Sequence, residues 1–139
     1  MSSPSSEKPL PLPCIRTRIK ICGLTREQDV DAAVAAGADA IGFVLYAPSP
    51  RAVTPQRAAE LAARLPPFVT PVLLFVNESA SNIIAASALL AGATIQFHGD
   101  ETPAECLAAT LGGARPFLRA ARIPLGDGAA RFDLVKFAH

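Results

Sequence analysis

Short apolar runs alternate with helical patterns from Arg18 onward. Each run is followed, within a few residues, by apolar residues three or four positions apart, which is the spacing typical of an amphipathic helix. Strands that alternate with helices form a parallel sheet, because each helix returns the chain to the same end of the next strand. The runs begin near residues 18, 39, 71, 94 and 117. The sequence therefore predicts an α/β fold built from five βα units.

Capping residues mark where several of these helices should begin. Thr25 with Gln28, and Thr102 with Glu105, have the three-residue spacing of a capping box. Thr54 precedes a proline, and proline is common at the first helical position. We therefore expect helices to begin just after these three threonines. The last predicted helical stretch contains Phe132, Val135 and Phe137.

Two architectures accommodate five consecutive βα units. A five-stranded, doubly wound parallel sheet would be complete in about this length, with helices on both faces. A (βα)8 barrel of the TIM type needs eight units and roughly 200 residues, so this chain would hold about five of its units. The strands of a doubly wound sheet are buried on both sides and should be apolar on both.

Alternation within the strands favours the barrel. Lys20 and Cys22 alternate with isoleucines in the first strand, and Gln96 and His98 alternate with apolar residues in the fourth. Arg119 interrupts the fifth apolar run. One face is therefore polar toward the carboxyl ends of the strands, as in a barrel mouth, while the other packs on helices. We predict a partial βα barrel, containing strands 1–5, over residues 18–139.

Composition and charge exclude several classes of function. The 139 residues include 13 basic and 12 acidic ones, scattered along the chain, which argues against a nucleic-acid partner. Uninterrupted apolar runs are far shorter than the roughly 20 residues that a membrane span needs. Cys14, Cys22 and Cys106 are too widely spaced for a zinc motif, and we expect reduced thiols in a cytoplasmic protein.

The first 17 residues differ in composition from the rest. The stretch MSSPSSEKPLPLP contains four prolines and four serines. These prolines interrupt any apolar segment that could serve as a signal peptide. We expect residues 1–17 to form a disordered leader.

Four short motifs resemble those of the phosphoribosylanthranilate isomerase family, βα-barrel enzymes of tryptophan biosynthesis. They are KICGLT, DAIGFV followed by SPR, a strand ending in FVN, and a strand ending in QFHGDE. Their order and spacing match the family over residues 18–139. The resemblance implies an aldose-to-ketose isomerase that converts N-(5-phosphoribosyl)anthranilate by an Amadori rearrangement, with no metal and no organic cofactor.

The resemblance also implies roles for four residues. Cys22, just before a helix whose dipole favours negative charge, would be the base that takes the proton from C2 of the opened substrate. Arg51, in a loop stiffened by two prolines, would bind the anthranilate carboxylate. Gln96 and His98 would contact the substrate from the fourth strand. The plainer alternatives are an inert thiol, a solvated arginine and a loop-bonded histidine.

Other polar residues near these motifs have simpler interpretations. Lys20 is expected to be an interior polar residue one layer deeper than the thiol. Asp100 and Glu101 are expected to be charges that favour the dipole of the following helix. We interpret Cys14 and Cys106 as structural or incidental.

Three of the eight barrel strands have no counterpart in the sequence. The family's general acid, an aspartate after strand 6, and its phosphate loops after strands 7 and 8 would lie there. Asp127 and Asp133 are not assigned the acid role.

Two explanations stay open: a truncated gene product or incomplete gene model, or a second chain that completes the barrel. We expect the chain alone to be inactive. Because two strand edges are unpaired, we also expect low solubility, self-association or a loosely packed state rather than a compact monomer. The alternative function is a non-catalytic module that binds a phosphorylated ligand.

Overall fold

Strands and helices alternate in the computed structural model, which describes residues 16–133 and 135. The strands are β1 (Lys20–Cys22), β2 (Ala40–Val44), β3 (Thr70–Phe75), β4 (Thr94–Phe97) and β5 (Phe117–Arg119). The helices are α1 (Glu27–Ala35), α2 (Pro55–Ala62), α3 (Ala80–Ala88) and α4 (Pro103–Ala109), followed by a 3-10 helix (Gly126–Arg131). This order confirms the five predicted βα units. Within these residues no helix has the length and apolar character needed to cross a membrane.

The strands follow one another across the sheet in chain order. The order is β1-β2-β3-β4-β5, and every neighbouring pair is parallel. In a doubly wound sheet the order reverses at a switch point and helices cover both faces. The doubly wound alternative is therefore wrong, because sequential parallel order is the arrangement of a βα barrel.

The hydrophobic core lies between the helices and one face of the sheet. Phe43, Leu73 and Ile95 are register partners on β2, β3 and β4, and all three are fully buried. Leu61 of α2 and Ile83 of α3 pack into the same cluster, to which α1 and α4 also contribute. Burial of each such side chain contributes about 1.5–3 kcal/mol. The shared cluster places these four helices on one face, which leaves the opposite face open.

Two of the three predicted helix starts are confirmed. Thr54 Oγ1 accepts a backbone N–H of the first turn of α2 at 3.1 Å. Thr102 and Glu105 form a reciprocal capping box at the start of α4. The capping box predicted at Thr25 is wrong, because the N-cap of α1 is Arg26, whose side chain offers no acceptor.

Arg119 lies on the helix face of β5 and does not extend the polar face. It is the register partner of Phe97, which is buried in the core. Its guanidinium donates a hydrogen bond to the main-chain oxygen of Glu101. The polar side chains on the cavity face therefore come from other strands, Lys20 and Cys22 from β1 and Gln96 from β4.

Predictions for the two ends of the chain fall largely outside the described residues. Of the predicted leader, residues 1–15 lie outside them, while Arg16 donates hydrogen bonds to the carboxylate of Asp39. At the other end, the structure has a 3-10 helix at Gly126–Arg131, just before the predicted last helical stretch, whose Phe132 is not helical. Phe137, the last apolar residue of that predicted helix, lies outside the described residues.

Two ion pairs join α1 to α2 and to the turn that follows α2, on the outer surface. Arg57 donates to both carboxylate oxygens of Glu27, at 2.7 and 2.9 Å. Arg64 donates to both carboxylate oxygens of Asp31, at 2.9 and 2.5 Å. The hydrogen bonds from Arg57 lower the pKa of Glu27 to about 2. A carboxyl group whose pKa is lowered by folding stabilises the fold above its unfolded pKa.

We expect Glu27→Gln to destabilise the chain most above about pH 5 and to have little effect near pH 2. The pKa of Glu27 is about 2 in the folded chain and about 4.3 when unfolded. The pair therefore stabilises fully above the unfolded value and loses this contribution as pH falls through that interval. The measurement is urea unfolding of both chains across this pH range, followed by circular dichroism.

The control repeats the substitution in an Arg57→Gln background. There the effect of Glu27→Gln should be nearly independent of pH, since its partner is gone. An equally pH-independent effect in the unmodified background would contradict the ion-pair account.

Candidate active site

A cavity of about 620 Å³ opens at the carboxyl ends of the strands, on the face opposite to the helices. Residues far apart in the sequence meet there, because the carboxyl ends of parallel strands lie at one edge of the sheet. All four residues singled out from the sequence line this carboxyl-end cavity. Its polar lining includes Lys20, Cys22, Arg51, Asn77, Gln96 and His98.

Cys22 ends β1, and its thiol lies over Gly42 of the neighbouring strand. The two residues are register partners. A Cβ at Gly42 would lie 2.8 Å from the Cys22 Sγ, closer than real Cβ atoms approach. Gly42 therefore provides the space that the thiol occupies. Sequence reasoning missed this role, although a glycine inside a strand signals the close approach of another group.

Arg51 reaches from the loop after β2 to the end of β1. Its guanidinium donates to the main-chain oxygen of Cys22 at 3.1 Å. Its backbone N–H donates to Ser49 Oγ at 3.2 Å, which fixes the loop. The guanidinium lies against Gly23, whose φ of 84° favours glycine and where a Cβ would overlap the arginine. These contacts hold a cation at the rim, next to the residue that carries the thiol.

Gln96 and His98 reach the cavity from β4 and the residue just beyond it. Gln96 Oε1 is buried and, within the described part of the chain, has no hydrogen-bond partner. A buried acceptor left unpaired costs about 1–3 kcal/mol, which a donor on a bound ligand would offset. The His98 backbone N–H donates to the main-chain oxygen of Phe75 at 2.9 Å and anchors the histidine beside β3.

Cationic side chains outnumber acidic ones among the described residues around the cavity. Lys20, Arg51 and Arg122 line it, with Asp100 as the acidic lining residue. A concave site lined by positive charge attracts anionic ligands. The described ranges contain no group of three His, Cys, Asp or Glu side chains arranged to hold a metal ion.

Glu101 joins two loops at the cavity mouth. It is only 5% exposed, and its carboxylate accepts backbone N–H groups from Asn77 and Gly99, each at 2.9 Å. The Asn77 Oδ1 accepts the Asp100 N–H at 2.8 Å. Glu101 was expected to be a helix-dipole charge, but its carboxylate binds these loops. Sequence reasoning missed Asn77 as well, although the FVN motif places it two residues after the end of β3.

The chain is similar in sequence to proteins of one family. The profile of the PRAI family, N-(5'-phosphoribosyl)anthranilate (PRA) isomerase, matches residues 19–130. The isomerase of Methylibium petroleiphilum is 61% identical over 124 residues, which are 89% of this chain and 54% of that protein. The isomerase of Dechloromonas aromatica is 60% identical over 89% of this chain and 55% of its own length. The chain thus spans about half the length of the curated relatives it matches.

The fold is similar to solved structures of the same name. One is a phosphoribosyl anthranilate isomerase in complex with reduced 1-(o-carboxyphenylamino)-1-deoxyribulose 5-phosphate. It has a TM-score of 0.75 and 33% identity over 84% of this chain and 59% of its own. The isomerase from Thermotoga maritima has a TM-score of 0.69 and 35% identity over 75% and 50%. The five βα units therefore match isomerase barrels over part of their length.

We expect Cys22 to react with a thiol reagent in the native chain and Cys106 to react only after unfolding. Cys22 is partly exposed at the cavity, whereas Cys106 is fully buried. Burial also raises the pKa of the Cys106 thiol, which keeps the reactive thiolate scarce. The measurement is titration with an aromatic disulfide reagent in a Cys14→Ser chain, before and after adding denaturant.

The control adds Cys22→Ser, which should abolish the reaction of the native chain and leave the reaction after unfolding. Two thiols that react together in the native chain, or none that reacts, would contradict this placement of the cysteines.

Proposed function

We propose that this chain, which belongs to the N-(5'-phosphoribosyl)anthranilate isomerase family, supplies the amino-terminal βα units of an isomerase of tryptophan biosynthesis. The proposed reaction is the Amadori rearrangement of N-(5-phosphoribosyl)anthranilate to an aminodeoxyribulose phosphate. The observation that carries the proposal is the convergence of Cys22, Arg51, Gln96 and His98 on one cavity. A binding module of the doubly wound type has no comparable support, because the strand order excludes its fold.

In this proposal Cys22 is the general base. Opening of the sugar ring gives a C1–N double bond, which makes the proton on the adjacent C2 acidic. The thiolate takes that proton, the C–H electrons form a C1–C2 double bond, and the electrons of the C1–N double bond return to nitrogen, which gives an enol. Protonation at C1 with loss of the C2 hydroxyl proton then leaves a ketone at C2. Proton movements therefore account for the whole isomerisation. The space above Gly42 and the opening to the cavity support this role.

Arg51 is proposed to bind the anthranilate carboxylate. A planar guanidinium can pair with both carboxylate oxygens, which fixes orientation as well as position. Its bond to the Cys22 main chain would place the bound aromatic ring close to the base. The buried Gln96 Oε1 would accept a hydrogen bond from a hydroxyl or N–H of the substrate, and His98 would contact the substrate from the rim.

Two further requirements are assigned to the rest of the barrel. The family resemblance places the ring-opening acid after a sixth strand and the phosphate site in loops after the seventh and eighth. The sheet formed by the described residues has five strands. We assign both roles to the βα units that complete the barrel, whether the same polypeptide or a second one carries them.

A hybrid chain tests the role of Cys22. It joins this protein to the remaining half of the M. petroleiphilum isomerase, and we expect it to catalyse the reaction. Cys22→Ser should lower kcat by about 100-fold to 10,000-fold with little change in KM, because serine is a far weaker base. Steady-state kinetics provide the measurement. Cys106→Ala, a change to a thiol outside the cavity, should leave kcat near its original value, whereas normal turnover of the Cys22→Ser hybrid would refute the assignment.

Arg51→Ala in the hybrid should raise KM by about tenfold to 150-fold, because a hydrogen bond to a charged group contributes on the order of 1.5–3 kcal/mol. Arg51→Lys should recover only part of the loss, since an ammonium lacks the planar fork. Arg64→Ala is the control, because this arginine lies on the outer surface. Equal KM values for Arg51→Ala and Arg64→Ala would contradict this role and indicate that Arg51 is a solvated surface arginine.

A further inference from the structure

The buried carboxylate of Glu101 bridges loops that follow adjacent strands. Its Oε1 accepts the Asn77 N–H, just after β3, at 2.9 Å. Its Oε2 accepts the Gly99 N–H, just after β4, at 2.9 Å. A buried carboxylate is costly unless its oxygens accept hydrogen bonds, and both oxygens do so here. Glu101 therefore links the two loops directly.

Further contacts hold the same bridge. Asn77 has a φ of 51°, a left-handed conformation that asparagine adopts more readily than most residues. Its Oδ1 accepts the Asp100 N–H at 2.8 Å, and a Cβ at Gly99 would collide with that oxygen. The Arg119 guanidinium donates to the main-chain oxygen of Glu101. The geometry of each loop thus depends on the other.

The bridged residues lie beside a residue proposed to contact the substrate. Asn77 and Gly99 both line the carboxyl-end cavity, and His98 immediately precedes Gly99. The His98 N–H already donates to Phe75, the last residue of β3. The Glu101 carboxylate adds a second connection, because it links Gly99, the residue after His98, to Asn77 in the loop after β3. Together they define where the histidine enters the cavity.

We propose that Glu101 is a positioning residue for the isomerisation, which it serves by fixing the loops that carry Asn77 and His98. The inference rests on the proposed function of the cavity. A misplacement of about 1 Å near the reacting groups can cost about 100-fold in rate. Loss of the bridge should therefore lower kcat/KM by more than the accompanying loss of folding stability can explain.

Glu105 provides a matched control. Its carboxylate also accepts a backbone N–H at the start of α4, from Thr102 at 2.7 Å. The loops at the cavity do not depend on this bond, which closes the capping box of the helix. Glu105→Gln therefore disturbs the same helix start by the same chemical change, without touching the bridge.

Amide hydrogen exchange in this chain tests the bridge without requiring activity. Glu101→Gln keeps one acceptor oxygen, so one of the two loop amides loses its partner. We expect exchange at Asn77 or Gly99 to accelerate at least tenfold by NMR, and Glu105→Gln to leave both rates unchanged. Unchanged rates at both amides in Glu101→Gln would overturn the proposal.

Kinetics of the hybrid chain test the positioning role. We expect Glu101→Gln to lower kcat/KM by about tenfold to 100-fold. Glu105→Gln should lower kcat/KM less than threefold, even if the two variants have the same thermal stability. Equal kcat/KM values for the two variants in an active hybrid would overturn the role of Glu101. An inactive unmodified hybrid would overturn the proposed function and this catalytic assignment together, while the exchange rates would still decide whether the bridge exists.

Discussion

The parallel pairing of neighbouring strands, at a fixed register, is the constraint on which the site depends. The register that aligns Phe43 with Leu73 in the core also aligns Cys22 with Gly42 on the open face. Because successive side chains in a strand point to opposite faces, a slip of one residue would exchange the two sets. Burial of the apolar set against the helices therefore determines which residues reach the cavity.

The two faces of the sheet have different roles: the helix face stabilises the fold, and the open face forms the cavity. The helix face carries the large buried side chains, which supply most of the hydrophobic stabilisation. The open face carries a group that destabilises the fold in the absence of a ligand, the buried and unpaired Oε1 of Gln96. Such costs are expected where a surface is shaped for a ligand. The cavity thus relies on a core formed by other residues.

Periodicity was sufficient to predict the strands and the polar face, because alternation along one strand is a local property. It placed Cys22 and Gln96 on the same face, where the structure has them. Contacts between residues far apart in the sequence were harder to predict, because they leave no periodic pattern in it. The start of α1 differed from the prediction, and there Arg57 of α2 binds both Glu27 and the carbonyl of Thr25. The bridge pairs Glu101 with Asn77, a residue 24 positions away in the sequence, which no local pattern records.

The most direct test of the account is NMR mapping of a ligand on the hybrid chain. The probe is reduced 1-(o-carboxyphenylamino)-1-deoxyribulose 5-phosphate, the ligand of a similar solved isomerase. We predict that the largest amide shifts upon titration occur at Cys22, Arg51, Gln96 and His98, with little change along the outer faces of the helices. Saturable binding with its shifts confined to the helix side, or to the amino-terminal edge of the sheet, would contradict it.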